Sequence, residues 1–326
     1  MHVLGELTKF GGSDYLLIEG ETEMKRNTNL LTQITRIALS LALWASLASA
    51  QEVAMSQGRT SPLKTDSRML YHNGPLLMGA QDVYIIWYGN WVGGGYTMPL
   101  VSDFVSVIGN SPYMSINSTY TDGNGNPAAS AIVYGGSVVD SSYSHSSTLT
   151  DADIQAIIYN HLSNFDLPQD PNGIYVVIGS ADISSLDVGF CGLSTPTPPP
   201  YHSHAMINGG NHQYIFLGHP DRCAPLAAPQ FLAADGTRLP TPSGNFAADG
   251  IISNLARALD GAVTNPYGNG WFDRYGLENT EKCRNQFGPT YLTPNGARAN
   301  VTIAGRDYLL QQNWVNSRKG YCATFP

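Results

Sequence analysis

Residues 24–50, MKRNTNLLTQITRIALSLALWASLASA, constrain the rest of the chain more than any other stretch. Lys25 and Arg26 make a basic start, Ile37 to Leu47 an apolar run, and Ala48-Ser49-Ala50 a small-x-small end. That order of features is a secretory signal peptide, and its apolar core is short for a stable bilayer span. A single N-terminal membrane anchor is the competing reading. The signal-peptide reading puts the start of translation at Met24, makes residues 1–23 an over-extended start, and begins the working protein near Gln51. It also places folding in an oxidising compartment, where disulfides persist.

From Gln51 onward 276 of the 326 residues remain, ample for a large hydrophobic core. Of the 17 basic and 25 acidic residues, 4 and 5 fall in the first 50, leaving 13 and 20 and a net charge of −7. No Lys or Arg occurs between Arg68 and Arg222. Phosphate backbones and anionic lipid surfaces are recognised by cations, so nucleic acid and membrane-surface partners are disfavoured. No later apolar run reaches membrane-spanning length.

The four cysteines, Cys191, Cys223, Cys283 and Cys322, all follow the signal peptide. An even count in an exported chain reads as two disulfides, with three possible pairings. Cys191–Cys223 and Cys283–Cys322 are favoured, because each closes a Pro/Gly-rich region poor in regular structure. A zinc site is the alternative, but no C-x-x-C pair supports it.

Residues 51–69 are polar and loose. The strand pattern begins at Asp82–Tyr88 (DVYIIWY), rich in β-branched and aromatic residues. A helix is expected from about Met98 to Ile108, capped by Thr97 and stopped by Gly109. Ile132–Val139 reads as a strand with a bulge or bend at Gly135-Gly136. Thr150-Asp151-Ala152-Asp153 opens a helix to about Asn164 as a capping box; His161 on it is a core-edge histidine. Ile174–Ile178, apolar on both faces, suits the centre of a sheet. A Pro-rich loop spans 191–204, and Gln213–Leu217 is a further strand. A helix capped by Asp249 covers Gly250–Asp260, and a last one is expected from about Gly305 to Trp314. Strands alternate with helices without repeats, which favours one α+β domain over residues 70–326, built on a mixed sheet with packed helices.

Four blocks resemble the EXORDIUM family of secreted plant and microbial proteins, also called phosphate-induced proteins. They are Tyr71-His72-Asn73-Gly74-Pro75-Leu76-Leu77 with Ile86-Trp87-Tyr88-Gly89; Gly189-Phe190-Cys191; Asp249-Gly250-Ile251-Ile252-Ser253-Asn254-Leu255-Ala256 running into Thr264-Asn265-Pro266-Tyr267-Gly268-Asn269-Gly270-Trp271-Phe272; and Ala304-Gly305-Arg306-Asp307-Tyr308-Leu309-Leu310. The resemblance implies an extracellular or cell-wall location and, in plants, an association with growth. It implies no particular reaction. A weaker similarity links residues 254–266 to zincin-like metallopeptidase relatives whose helix reads roughly H-E-L-A-E-A-V-T-D-P. Here Ala262-Val263-Thr264-Asn265-Pro266 matches and the helix does not. A zinc helix needs two histidines four residues apart with a glutamate beside them. No His-Glu pair occurs in the sequence, and Arg257 places a cation where a metal would sit. The expectation is a degenerate zincin-like or other three-layer core without the standard metal centre.

Two kinds of site remain. His202 and His204 would share a face of an extended strand and could hold one divalent metal, completed by His212, His219 or Asp221; the bland reading is a solvated loop. Alternatively, aromatic rings beside Gly-rich turns suit sugar stacking, flanked by amides and carboxylates. Trp87, Tyr88, Asp249, Asn254, Asn265, Asn269 and Trp271 are the candidates, against ordinary packing for the rings and turn-holding for the amides. Asp122-Gly123-Asn124-Gly125-Asn126 imitates a calcium loop but lacks its Gly and closing Glu, so it reads as a turn. Asn117-Ser118-Thr119 and Asn300-Val301-Thr302 are glycosylation sequons in a eukaryotic host. No G-x-S-x-G, phosphate-loop or dinucleotide motif is present. The expected protein is secreted and non-catalytic, without a cofactor, binding wall carbohydrate or an extracellular protein. A metal-dependent hydrolase with an atypical His set is the alternative.

Overall fold

The computed structural model describes residues 68–94, 96–186, 188 and 201–326. The signal sequence, the rest of the loose N-terminal segment, and residues 191–200 of the expected Pro-rich loop lie outside them, while its last residues, 201–204, are strand rather than loop. In chain order the elements are β1 (Met69–Tyr71), β2 (Ala80–Tyr88), α1 (Thr97–Ile108), β3 (Ala131–Asp140), β4 (Thr148–Leu149) and α2 (Asp151–Ser163). They continue with β5 (Gly173–Gly179), β6 (Ser184–Ser185), β7 (Tyr201–Ile207), β8 (Gly210–Leu217), α3 (Ala224–Ala227), α4 (Phe246–Thr264), β9 (Trp271–Asp273) and α5 (Asn279–Lys282).

The central sheet has five strands in the order β3-β2-β5-β8-β7. β2 pairs in parallel with β3 and β5, and β5 with β8, whereas β7 returns antiparallel along the edge of β8. Every residue of β5 is buried, as its unbroken apolar run requires of a strand covered on both faces. Val83, Ile85, Trp87, Ile174, Val176, Ile178, Ile215 and Leu217 face α1 and α4. Tyr84, Ile86, Tyr88, Tyr175, Val177, Tyr214 and Phe216 face the α2 side. The alternation of side chains along each strand thus divides the core into two layers, one on either side of the sheet.

Local chemistry explains most element boundaries. Thr150 and Asp153 form the reciprocal capping box at the start of α2. In β3 one extra residue interrupts the pairing with β2 opposite Val83 and Tyr84. Gly135 lies at that bulge, and a Cβ there would meet the Tyr84 ring at 2.4 Å. Three expected boundaries differ. α1 has no side-chain cap; the Thr97 hydroxyl instead accepts from Asn245 Nδ2 at 3.0 Å. α4 runs from 246 to 264 and is capped by Asn245, whose Oδ1 accepts from the Ala248 N–H, so Asp249 lies inside the first turn rather than at the cap. The helix expected over 305–314 is a hairpin pairing Val301–Ile303 with Arg306–Tyr308. Its turn residues Ala304 and Gly305 both have positive φ (49° and 77°), the geometry of a tight two-residue β turn.

α4 is buried from Ala247 to Thr264, enclosed between the sheet and the C-terminal region. Small residues permit the close approach. A Cβ on Gly250 would meet Pro220 at 2.6 Å, and one on Gly261 would meet His202 Nε2 at 2.8 Å. The C-terminal region consists of short antiparallel pairs, with β9 bound to β1 and Asn313–Val315 to Tyr321–Ala323. The Cys283–Cys322 disulfide closes it, with a Cα–Cα distance of 5.6 Å. The other expected pair includes Cys191, outside the described residues. Among the described residues no helix is long and apolar enough to cross a membrane.

Candidate functional site

In open sheets with parallel strands, ligand sites form beyond the carboxyl ends of the strands, where loops diverge toward helices on opposite faces. Here that edge opens into a cleft of about 810 Å³. Gly93, Gly94 and Tyr96, which follow β2, form one wall with the first turn of α1. His219 and Asp221, which follow β8, form another with Arg238 and the first turn of α4. A smaller hollow of about 460 Å³ adjoins it, sharing Leu100, Ser243 and Arg306 and reaching Tyr308.

The cleft is polar but internally paired. Arg238 contacts Asp221 Oδ1 at 2.7 Å and lies 4.1 Å over the Phe246 ring. Arg306 contacts Asp103 at 3.1 Å across half-exposed side chains. His219 is buried against Trp91, and its Nδ1 accepts from the Asp221 N–H at 3.2 Å. Burial pushes the His219 imidazole below its usual range, against the opposing pull of Asp221. Tyr96, by contrast, is 80% exposed on the rim. The Tyr308 hydroxyl is buried at the edge of the smaller hollow without a hydrogen-bond partner. Such a group is available to a ligand at little desolvation cost beyond that already incurred in folding.

The sequence candidates scatter over this framework. Trp87 and Tyr88 are 1% and 0% exposed in the two core layers, so neither ring offers a stacking surface. Asp249 lies beneath the cleft, where its Oδ2 accepts from the Ser243 N–H and hydroxyl at 2.9 and 2.7 Å. Burial raises its pKa, and the bonds from Ser243 and Thr241 offset part of the rise. Asn254 is buried mid-helix and donates to Ala227 O and Gly250 O. Asn265 holds the turn after α4, accepting from the Gly270 N–H and donating to Glu278 Oε1 at 2.6 Å. Asn269 packs against Gly74 in the same turn, and Trp271 donates to Thr121 O while packing on Tyr71 and Tyr120.

His202 and His204 lie two residues apart on β7, as the extended reading requires, but engage different neighbours. His202 Nε2 bonds Glu278 Oε2 at 2.9 Å; His204 bonds Asn211 and packs on Tyr267. His212 packs edge-on to Tyr175, and His219 belongs to the cleft. Among the described residues no three His, Cys, Asp or Glu side chains converge as metal ligands. Of the two sequon residues, Asn117 is wholly buried, and Asn300 donates to Phe287 O and Leu310 O. Sequence reasoning did not single out Arg238, Ser243 or Asn245. Their signal was positional, since they precede the true start of α4 rather than the one assigned to it.

Fold and cleft together define a disulfide-bonded protein with a mixed five-stranded sheet between helices and an open polar cleft at the strand ends. No solved structure matches the chain. The family model described as the phosphate-induced protein 1 conserved region matches residues 69–325, and the chain belongs to that family. It is 28% identical to Protein EXORDIUM of Arabidopsis thaliana over 316 residues, covering 85% of this chain and 94% of that one. It is 31% identical to Protein EXORDIUM-like 5 of the same plant over 221 residues, 62% of this chain and 59% of that protein's length. Protein PHOSPHATE-INDUCED 1 of Nicotiana tabacum is 27% identical over 220 residues, 62% of this chain and 66% of that one. None of these comparisons supports the weaker zincin-like similarity.

Proposed function

We propose that this is an exported, non-catalytic protein that binds extracellular carbohydrate in the cleft between the starts of α1 and α4. The observation that carries the reading is the cleft's combination of an exposed aromatic ring, Tyr96, with carboxylate–guanidinium pairs. Sugars present apolar C–H faces to aromatic rings, and rows of hydroxyls to planar groups that donate and accept side by side. The cleft volume falls within the roughly 300–1,000 Å³ usual for small-ligand sites. Export is supported by residues 24–50 and by the Cys283–Cys322 disulfide.

The test is a glycan array on the protein beginning at Gln51, followed by calorimetric titration with the strongest oligosaccharide. Tyr96→Ala should weaken binding about three- to tenfold, the usual worth of one stacking ring, without lowering the melting temperature. A blank array, or a titration indifferent to Tyr96→Ala, refutes the reading. Hydrolysis of peptides or glycans that stops on chelation would establish the metal-hydrolase alternative instead.

A further inference from the structure

A second cavity, of about 200 Å³, lies against the C-terminal half of α4, lined by His202, Arg257, Glu278, Glu281 and Arg284 among others. Three nitrogens of these side chains are buried without a hydrogen-bond partner: Arg257 Nε, Arg284 Nε and His202 Nδ1. The two glutamates do not account for them. Glu278 accepts from His202 Nε2 and Asn265 Nδ2. Glu281 accepts from the Glu278 N–H and from Arg284 Nη2 at 3.2 Å. That leaves Arg257, 8% exposed, with its Nε unpartnered among the described residues and with Glu281 supporting its charge without pairing directly with it. A buried charge without a counter-charge is costly, and proteins resolve the cost by pairing it.

We propose that this cavity is a binding site for one small oxyanion group, tetrahedral or planar, held by Arg257 with Arg284 and His202 as additional donors. A guanidinium presents N–H groups in a fixed fork that matches two oxygens of a carboxylate, phosphate or sulfate. Protonated His202 contributes Nδ1–H, with its other nitrogen already bound to Glu278. Burial alone would lower the His202 pKa, but Glu278 and Glu281 raise it overall, while burial and Arg284 lower that of Arg257 to about 10. The groups facing His202 are Glu278 and Glu281 from the α5 segment, Arg257 from α4, and Arg284. Of these, His202 carries the proton most readily exchanged, and its raised pKa means that affinity for the anion falls as pH rises through its titration.

The experiment is calorimetric titration of the protein beginning at Gln51 with inorganic phosphate, sulfate and acetate in low-chloride buffer. Thermal melts with the same ions accompany it. The expected result is stoichiometric binding of at least one of them, with affinity decreasing as pH is raised above about 6.5, the ordinary histidine value. Phosphate and sulfate without acetate assigns the tetrahedral class, and acetate alone the carboxylate class. Arg257→Met should abolish the response and melt no lower than wild type without added anion, since it removes an uncompensated charge. If that variant fails to fold, Arg284→Gln at the more exposed rim should weaken binding about tenfold. Absence of binding by all three ions, or equal binding by wild type and Arg284→Gln, overturns the site. Cleft binding of glycans is read separately through Tyr96→Ala, so either proposal can fail without the other.

Discussion

Replacing Lys282 with methionine should destabilise this protein more than almost any other single surface-conserving change. Lys282 Nζ lies 3.1 Å from Asp273 Oδ2, and both side chains are 0% exposed. The ammonium also sits 4.4 Å over the Trp314 ring. Asp273 Oδ1 accepts the N–H groups of Tyr275 and Leu277, so the carboxylate organises the turn leading into α5. Methionine fills the volume but removes the ammonium from beside the carboxylate, and breaking a pair buried this fully costs about 3–5 kcal/mol. Asp273→Asn should cost a similar amount by removing the carboxylate from the ammonium. The double variant should recover to within about 1–2 kcal/mol of wild type, because the asparagine oxygen still serves the turn and both charges of the pair are removed together. The assay is urea unfolding at equilibrium with the disulfide intact, reading the midpoint at constant slope. A Lys282→Met loss under about 1 kcal/mol, or a double variant that loses the sum of the single losses, refutes the reasoning.

Two further outcomes are expected. Removing the Cys283–Cys322 bridge by paired serine substitution should cost about 4 kcal/mol in the loop-entropy model for its 39-residue separation, measured by the same urea midpoint; no change in midpoint would show that the C-terminal hairpins close independently. Asp249 has a folded-state pKa above the roughly 3.9 of an unfolded aspartate, so its contribution is full below that value and is lost as pH rises through the folded pKa. Melting temperatures of wild type minus Asp249→Asn should therefore fall as pH is raised from about 4, and a flat or rising difference would mean that the Ser243 bonds outweigh burial.

The parts of this fold that were legible are those whose signal is local. β5 is buried on both faces, and its sequence IYVVI is apolar on both. The α2 capping box is four consecutive residues, and Gly135 marks the bulge it was read to mark. What failed depended on distant neighbours. Apolar spacing over 305–314 looked helical, yet Tyr308 packs on Phe104 and the preceding Ala-Gly pair makes a turn. Trp87 and Tyr88 looked like a platform because glycines follow them, but a central strand buries both faces and leaves nothing for a ligand. β7 was hidden by the adjoining prolines: Tyr201–His204 were read as the end of a loop, and extended geometry entered only as the condition for His202 and His204 to share a metal.

α4 shows why burial, rather than motif, is the better guide to the second cavity. A helix enclosed on all sides is expected to be apolar all round, so each polar residue on it needs a physical account. Asp249 is satisfied by Ser243 and Asn254 by two carbonyls, whereas Asp260 takes a bond from Asn313 on Oδ2, keeps Oδ1 unpartnered among the described residues, and is pushed by burial well toward the neutral form. Thr264 donates back to Asp260 O. Arg257 keeps its charge with Nε unpartnered among the described residues and with no carboxylate paired directly to it, Glu281 supporting it only from beyond ion-pair distance. Structure alone would favour an apolar residue of similar length there, since the surrounding core would accept one without a desolvation cost. The guanidinium therefore makes physical sense as half of a pair whose other half arrives from solution, and Gly261 brings the His202–Glu278 contact close enough to the helix to share the same space.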